Sequence, residues 1–279
     1  MKTRIITAVV ALAIFAPILY FSASWPFVAF VCLMCMASSY EILKCCGLEK
    51  KWFFSLPTIL IFTFIGFCTR YVFQNGAQFI KYVAAILCVY LFWCFAVSVF
   101  SKGKVAITDA ATAVVFSAYA AAGFCSLVFI RDFEGAAAYM FPLIFIGAWV
   151  TDTGAYFCGV TMGKHKLIPD VSPKKTVEGA IGGIVTTTLV FLLYGFIIEK
   201  KFGFSASYLG LAVTGAVIAV ISMIGDLIAS LLKRHYGIKD YGFIFPGHGG
   251  ILDRFDSIIA VSLFIYLLCT FSDFFILFG

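Results

Sequence analysis

The sequence predicts an all-α, polytopic integral membrane protein of about nine transmembrane helices. Three observations carry that expectation. The 279 residues are 63% hydrophobic and 12% charged, with a mean hydropathy of +1.06, whereas soluble domains carry about a quarter charged residues. The apolar residues gather into runs of about twenty, the length at which a helix crosses the hydrocarbon core. No series of short alternating strands with turn signals is present, which argues against a β-barrel.

In chain order the runs fall at roughly 5–21, 25–40, 52–69, 79–100, 110–130, 138–160, 178–198, 207–232 and 252–278. Span one follows Lys2 and Arg4 like the charged start of a signal peptide. No clear small-residue cleavage site follows it and more spans come at once, so it reads as an uncleaved first helix. Span two is short for a crossing. The ten cysteines lie mainly in or beside apolar runs; they read as small hydrophobes, with neither disulfides nor metal assigned. There is no low-complexity tract, no detached soluble segment and no clear repeat, so residues 1–279 are expected to form one domain. Within it, 1–137 holds spans without a readable motif and 138–279 holds the chemistry.

With the N-terminus inside, fifteen of the twenty Lys and Arg residues fall in cytoplasmic segments, as the positive-inside rule requires. The weakest point is Glu199-Lys200-Lys201, basic yet placed outside. His165, His235 and His248 are the only histidines, and all three sit in the last two cytoplasmic segments.

The densest polar stretch is SLLKRHYGIKDYGFIFPGHGGILDRFDS, residues 230–257. On a helix, Asp226, Ser230, Lys233 and Arg234 share one face. Asp226 then lies roughly 10 Å below Lys233, a depth at which an acid needs a partner or a task. An ion pair with a neighbouring basic residue is the plainer explanation. Asp253 and Asp256 are three apart where span nine begins. Two carboxylates there suit a hard cation such as Mg²⁺, with Asp226 as a third from a facing helix. Helix capping explains Asp253 alone equally well, but strains to explain all three. Between them, Gly247-His248-Gly249-Gly250 can turn backbone N–H groups toward an anion, with Lys233, Arg234, Lys239 and Arg254 around it. The ligand these features suit bears phosphate.

A second stretch, residues 149–179, adds Asp152 between Thr151 and Thr153, a place for an acid lining a wet cavity. Ser172-Pro173 reads as a cap and first position of a short helix. Lys174 and Lys175 would project from it toward an anion, and Thr176 could donate a hydrogen bond. Ordinary positive-inside charge explains each lysine singly as well. Gly179 and Gly183 have the spacing of close helix packing.

The run Ser230…Lys233-Arg234…Lys239-Asp240…Pro246-Gly247-His248-Gly249-Gly250…Asp253-Arg254-Phe255-Asp256 resembles, without departure, the signature of the phosphatidate cytidylyltransferases, also called CDP-diacylglycerol synthases. The segments around Asp152 and Ser172–Gly179 are similar to that family too, as is the nine-span plan. The resemblance implies transfer of CMP from CTP to phosphatidate with Mg²⁺ required, in a lipid membrane, with no nucleic-acid partner. It implies a homodimer and, most simply, a bacterial inner membrane with the site facing the cytoplasm. It places metal binding on Asp226 and Asp253 with Asp256 close by, and phosphate contacts on Lys233, Arg234, Lys239 and Arg254. Asp240 would orient one of those cations, and His248 would bind phosphate or assist the attacking oxygen. Asp152, Ser172, Lys174, Lys175, Thr176, Ser230, Gly249 and Gly250 are then expected on the substrate side.

Two rivals remain at this point. A CTP-dependent lipid kinase would share nucleotide and metal but move the γ-phosphate. An ion-coupled membrane transporter would explain intramembrane Asp152 and Asp226, although the polar groups crowd one face and no inverted repeat is visible.

Overall fold

The computed structural model describes residues 13, 16–71, 76–133, 138–244, 249–270 and 277–278. Two compact units make up the chain, one from residues 1–128 with 235–254, the other from 129–234 with 255–279. Nearly all regular structure is helical, as expected. Among the described residues seven helices are long and apolar enough to cross a membrane, against nine expected spans. Of expected span one, residues 5–12, 14 and 15 lie outside the described residues, while 16–20 are helical. Of span nine, 252–270 is a helix, but three charged residues in its first five keep it out of the seven.

In the first unit, α1 (Trp25–Cys45) starts at Ser24, whose extended backbone precedes Pro26 in the first turn. It runs five residues past the expected end at 40, because Ser38, Ser39 and Glu41 are buried in the protein rather than placed at a membrane surface. Its end is a Schellman turn: Leu48 N–H donates to Leu43 O at 2.8 Å and Gly47 N–H to Lys44 O at 3.1 Å, with Gly47 at φ +68°. Cys32 and Cys35 stand in Cys-x-x-Cys spacing inside this helix, where Cys35 is buried.

The next helix, α2 (Trp52–Tyr71), contains Pro57. A proline leaves the carbonyl four residues back without its N–H donor. Here that carbonyl, on Phe53, accepts from the Trp93 indole at 3.3 Å, so α3 (Gly76–Phe100) repairs the ladder of α2. The outer side of α3 is apolar and exposed, with Val89, Phe92, Val99 and Phe100 all over two-thirds accessible, as a lipid-facing helix requires. α4 (Ile107–Arg131) begins in this unit with Asp109 in its first turn.

The second unit holds α5 (Met140–Met162), a hairpin of β1 (Lys166–Ile168) and β2 (Ser172–Thr176), α6 (Val177–Phe202), α7 (Tyr208–His235) and most of α8 (Leu252–Thr270). α5 and α6 touch backbone to backbone: a Cβ on Gly179 would lie 2.7 Å from Ala155 O, and one on Gly183 3.0 Å from Thr151 O. The Gly179/Gly183 spacing is therefore a packing seam, as expected. α6 ends at Gly203, φ +77°, with Lys200 and Lys201 in its last turn. There they complement the helix dipole, which accounts locally for the basic segment that fits the orientation rule least.

Candidate functional site

In the second unit a cavity of about 470 Å³ is lined by α5, the hairpin, α6 and α7. Asp152 and Asp226 contribute carboxylates, and Lys166, Lys174 and Lys175 contribute ammonium groups. Its apolar wall includes Ala155, Tyr156, Val160, Leu167 and Met223.

The local fold around the lysines corrects one expectation. Ser172-Pro173 does not open a short helix; residues 172–176 are a strand, with Lys166 paired to Thr176 and Ile168 to Ser172. The residue before a proline disfavours helical backbone, and a two-stranded ribbon tolerates proline because every strand is an edge. The cap function passes to Thr176, whose Oγ1 accepts from Gly179 N–H at 3.1 Å. Thr176 is therefore buried at the cavity wall with its oxygen engaged, while Lys174 is exposed and Lys175 half-buried. At the same corner Glu178 accepts from the His165 ring at 2.6 Å and from the backbone N–H groups of Lys164 and His165, pinning the entry to the hairpin.

Asp226 does have a cationic partner. Lys175 Nζ lies 2.7 Å from its Oδ2, and Ser230 Oγ donates to its Oδ1 at 3.3 Å. Asp226 and Ser230 thus share a face as expected. Asp256 lies within electrostatic reach of Asp226, Asp152 and Lys233. That approach depends on Gly225, where a Cβ would stand 2.6 Å from Ala260 Cβ and 2.9 Å from Asp256 O. Ser257 Oγ, donating to Ser222 O at 3.1 Å, locks the same crossing of α7 and α8. Lys233 is buried, and Arg234 is exposed with its Nε directed at Val171 O, 3.4 Å away.

In the first unit, Asp253 Oδ2 accepts from Gly250 N–H at 2.9 Å and Tyr241 N–H at 2.8 Å. The local capping considered for Asp253 is thus present, and the Gly250 N–H has a protein acceptor. Gly249, at φ +89°, packs against the same carboxylate. Lys239, Asp240 and Arg254 are exposed; His248 lies outside the described residues. Tyr236 O–H donates to Asp109 Oδ1 at 2.9 Å. Burial, then hydrogen bonds with Cys46 and Asp109, push its phenol pKa up. Burial likewise pushes the Cys46 thiol up to about 11.

Four contributors escaped the sequence reading. Lys166 sits in a quoted polar stretch but looked like ordinary loop charge. Gly225 has no motif of its own, and Glu178 lies in the family-like segment 172–179 but drew no role. Glu41, buried in α1, did carry a signal: an acid within an apolar run is costly and calls for a partner.

Among the described residues no three His, Cys, Asp or Glu side chains converge as a ready-made metal cage. The acids nevertheless fit Mg²⁺, which keeps several waters and takes oxygens from one or two carboxylates plus phosphate. Asp226, already carrying the ammonium of Lys175, and Asp256 could hold it in the second unit, and Asp253 could hold one in the first.

Seven described helices long and apolar enough to cross a membrane mark an integral membrane protein, with carboxylates and lysines around a cavity in its second unit. The chain belongs to the cytidylyltransferase family, whose sequence profile it matches over residues 2–272. It is 36% identical to the phosphatidate cytidylyltransferases of Staphylococcus saprophyticus and Staphylococcus epidermidis, and 34% identical to that of Staphylococcus aureus strain COL. Each similarity covers 94% of this chain and 96% of the relative.

Proposed function

We propose that the chain transfers CMP from CTP to phosphatidate, giving CDP-diacylglycerol and pyrophosphate for phospholipid synthesis. Family membership sets the reaction class, and neither kinase nor transporter gains support from the relatives. The observation that carries the site is the cavity in which Asp152 and Asp226 stand beside Lys166, Lys174 and Lys175 under an apolar wall.

A phosphatidate phosphate oxygen attacks the α-phosphorus of CTP; that P–O bond forms as the bond to the β-phosphate bridge breaks, and pyrophosphate leaves. A phosphate monoester is already largely ionised near neutral pH, its second pKa being about 6, so the protein's task is positioning and charge neutralisation. Lys166 and Lys174 offer ammonium groups to phosphate oxygens. Lys175 is tethered by Asp226 and reaches the same space. Ser230 holds the Asp226 carboxylate in place, and the apolar wall excludes water and suits acyl chains. Mg²⁺, when bound, would neutralise phosphate charge and polarise the reacting phosphorus. Asp253, Arg254, Lys239, Asp240 and His248 are assigned to the same reaction by the signature they belong to. The charge bias supports a site facing the cytoplasm, the bacterial relatives a bacterial inner membrane, and the family resemblance a homodimer.

The test uses purified protein in mixed micelles with Mg²⁺, phosphatidate and CTP labelled in the cytosine ring. Label entering the chloroform phase only when phosphatidate and Mg²⁺ are present supports the reaction. Label staying aqueous while CTP becomes CDP would favour lipid phosphorylation, and untouched CTP would remove the enzyme reading.

A further inference from the structure

The first unit holds a buried carboxylate that the reaction as described does not use. Glu41, 2% exposed, sits in the last turns of α1. Its Oε1 accepts from Ile251 N–H at 2.8 Å and its Oε2 from Leu252 N–H at 2.9 Å. Those amides open α8, and the first groups of a helix have no acceptor of their own. Both oxygens are thus spent on a segment 210 residues away in sequence. Charge-assisted bonds and the positive end of the α8 dipole offset part of the cost of burying the charge.

The surroundings are shaped for this acid. A Cβ on Gly242 would lie 2.7 Å from Glu41 Oε1, and one on Gly250 would overlap the carboxylate outright. Two glycines of the polar segment therefore make room for a side chain of α1. The neighbouring amide, Gly250 N–H, goes to Asp253 instead. The backbone from 250 to 252 is held by two carboxylates, Glu41 taking two donors and Asp253 a third. With Ile251 and Leu252 held by Glu41, Asp253 and the Gly250 N–H bonded to it sit on a fixed stretch of backbone.

We propose that Glu41 is a positioning residue for cytidylyl transfer: it fixes the start of α8 and so sets the carboxylate of Asp253. The proposal rests on the functional reading above.

Glu41→Gln keeps one acceptor and sets an amide N–H₂ against the other donor. The expected result is a fall in kcat of about 10- to 100-fold, the usual loss when an orienting partner is removed, with KM for CTP and phosphatidate little changed. Glu41→Asp, which keeps the charge, should regain part of it. Independently of activity, amide hydrogen exchange in a peptide spanning 249–253 should accelerate in Glu41→Gln while the other helices keep their protection. Should Glu41→Gln fail to fold, Gly242→Ala pushes on the carboxylate without removing it, and the same kcat loss is expected. Wild-type kcat and unchanged exchange in a folded variant would overturn the role of Glu41. So would a lowered melting point with wild-type turnover per folded molecule. A wild-type protein inactive on CTP and phosphatidate would instead overturn the functional reading, and the role in catalysis with it, even with amides 251 and 252 protected.

Discussion

Replacing Asp226 by Asn and Lys175 by Met, singly and together, separates two roles that Asp226 can hold. At 2.7 Å the charges attract by about 6 kcal/mol in an effective dielectric near 20. The side chains keep 23% and 29% of their exposure, so screening and lost hydration take back most of that. A net coupling of about 1–3 kcal/mol remains, between the values for exposed and buried pairs. Thermal unfolding in detergent should show it as a double variant more stable than the two single losses would sum to. Turnover should behave differently. Asp226→Asn is expected to lose about 10²- to 10³-fold, the scale for removing one preorganised charge-stabilising group, and adding Lys175→Met should not restore it. If the double variant regains most of the wild-type rate, Asp226 serves only to neutralise a lysine, and its place in the chemistry is refuted.

Gly225→Ala puts a methyl group where α7 meets α8, at an expected cost of about 1–3 kcal/mol for overpacking and a drop in turnover as Asp256 moves away; adding Ala260→Gly should recover part of both, measured by melting point and CDP-diacylglycerol formed. The thiol of Cys46, pushed up to about 11 by burial, keeps its proton in the folded protein after the unfolded chain has begun to release its own. Folding stability should therefore fall as pH rises from about 9 to 11. Cys46→Ala should flatten that part of the melting-point profile, and an unchanged slope would place its cause elsewhere.

Much of the architecture was legible because apolar run length and helix length are the same physical quantity. The Gly179/Gly183 seam and the shared face of Asp226 and Ser230 follow from helical periodicity alone. The end of α1 was misjudged for the converse reason: polarity marks a membrane surface only when it faces one, and Ser38, Ser39 and Glu41 face protein. The hairpin was missed because three- and five-residue strands leave almost no periodic trace, and Ser-Pro suits a strand start as well as a helix cap. The acids and lysines of the site were visible as rare charges in an apolar chain. Their pairing was not, since Lys175 with Asp226 and Glu41 with Ile251 join residues 51 and 210 apart.

The contact of α5 with α6 has a mechanical consequence. Where glycines bring two helices to backbone contact, only small side chains such as Cys158 and Thr186 stand between them, so the seam has little to compress and behaves as a firm edge. Compliance in the cavity must reside in its other walls: the two-stranded ribbon, anchored at one end by Glu178, and the side chains of Tyr156, Val160 and Met223. A bulky substrate of the proposed reaction would be admitted by bending the ribbon or turning those side chains, with the helix pair as the stop against which it is gauged.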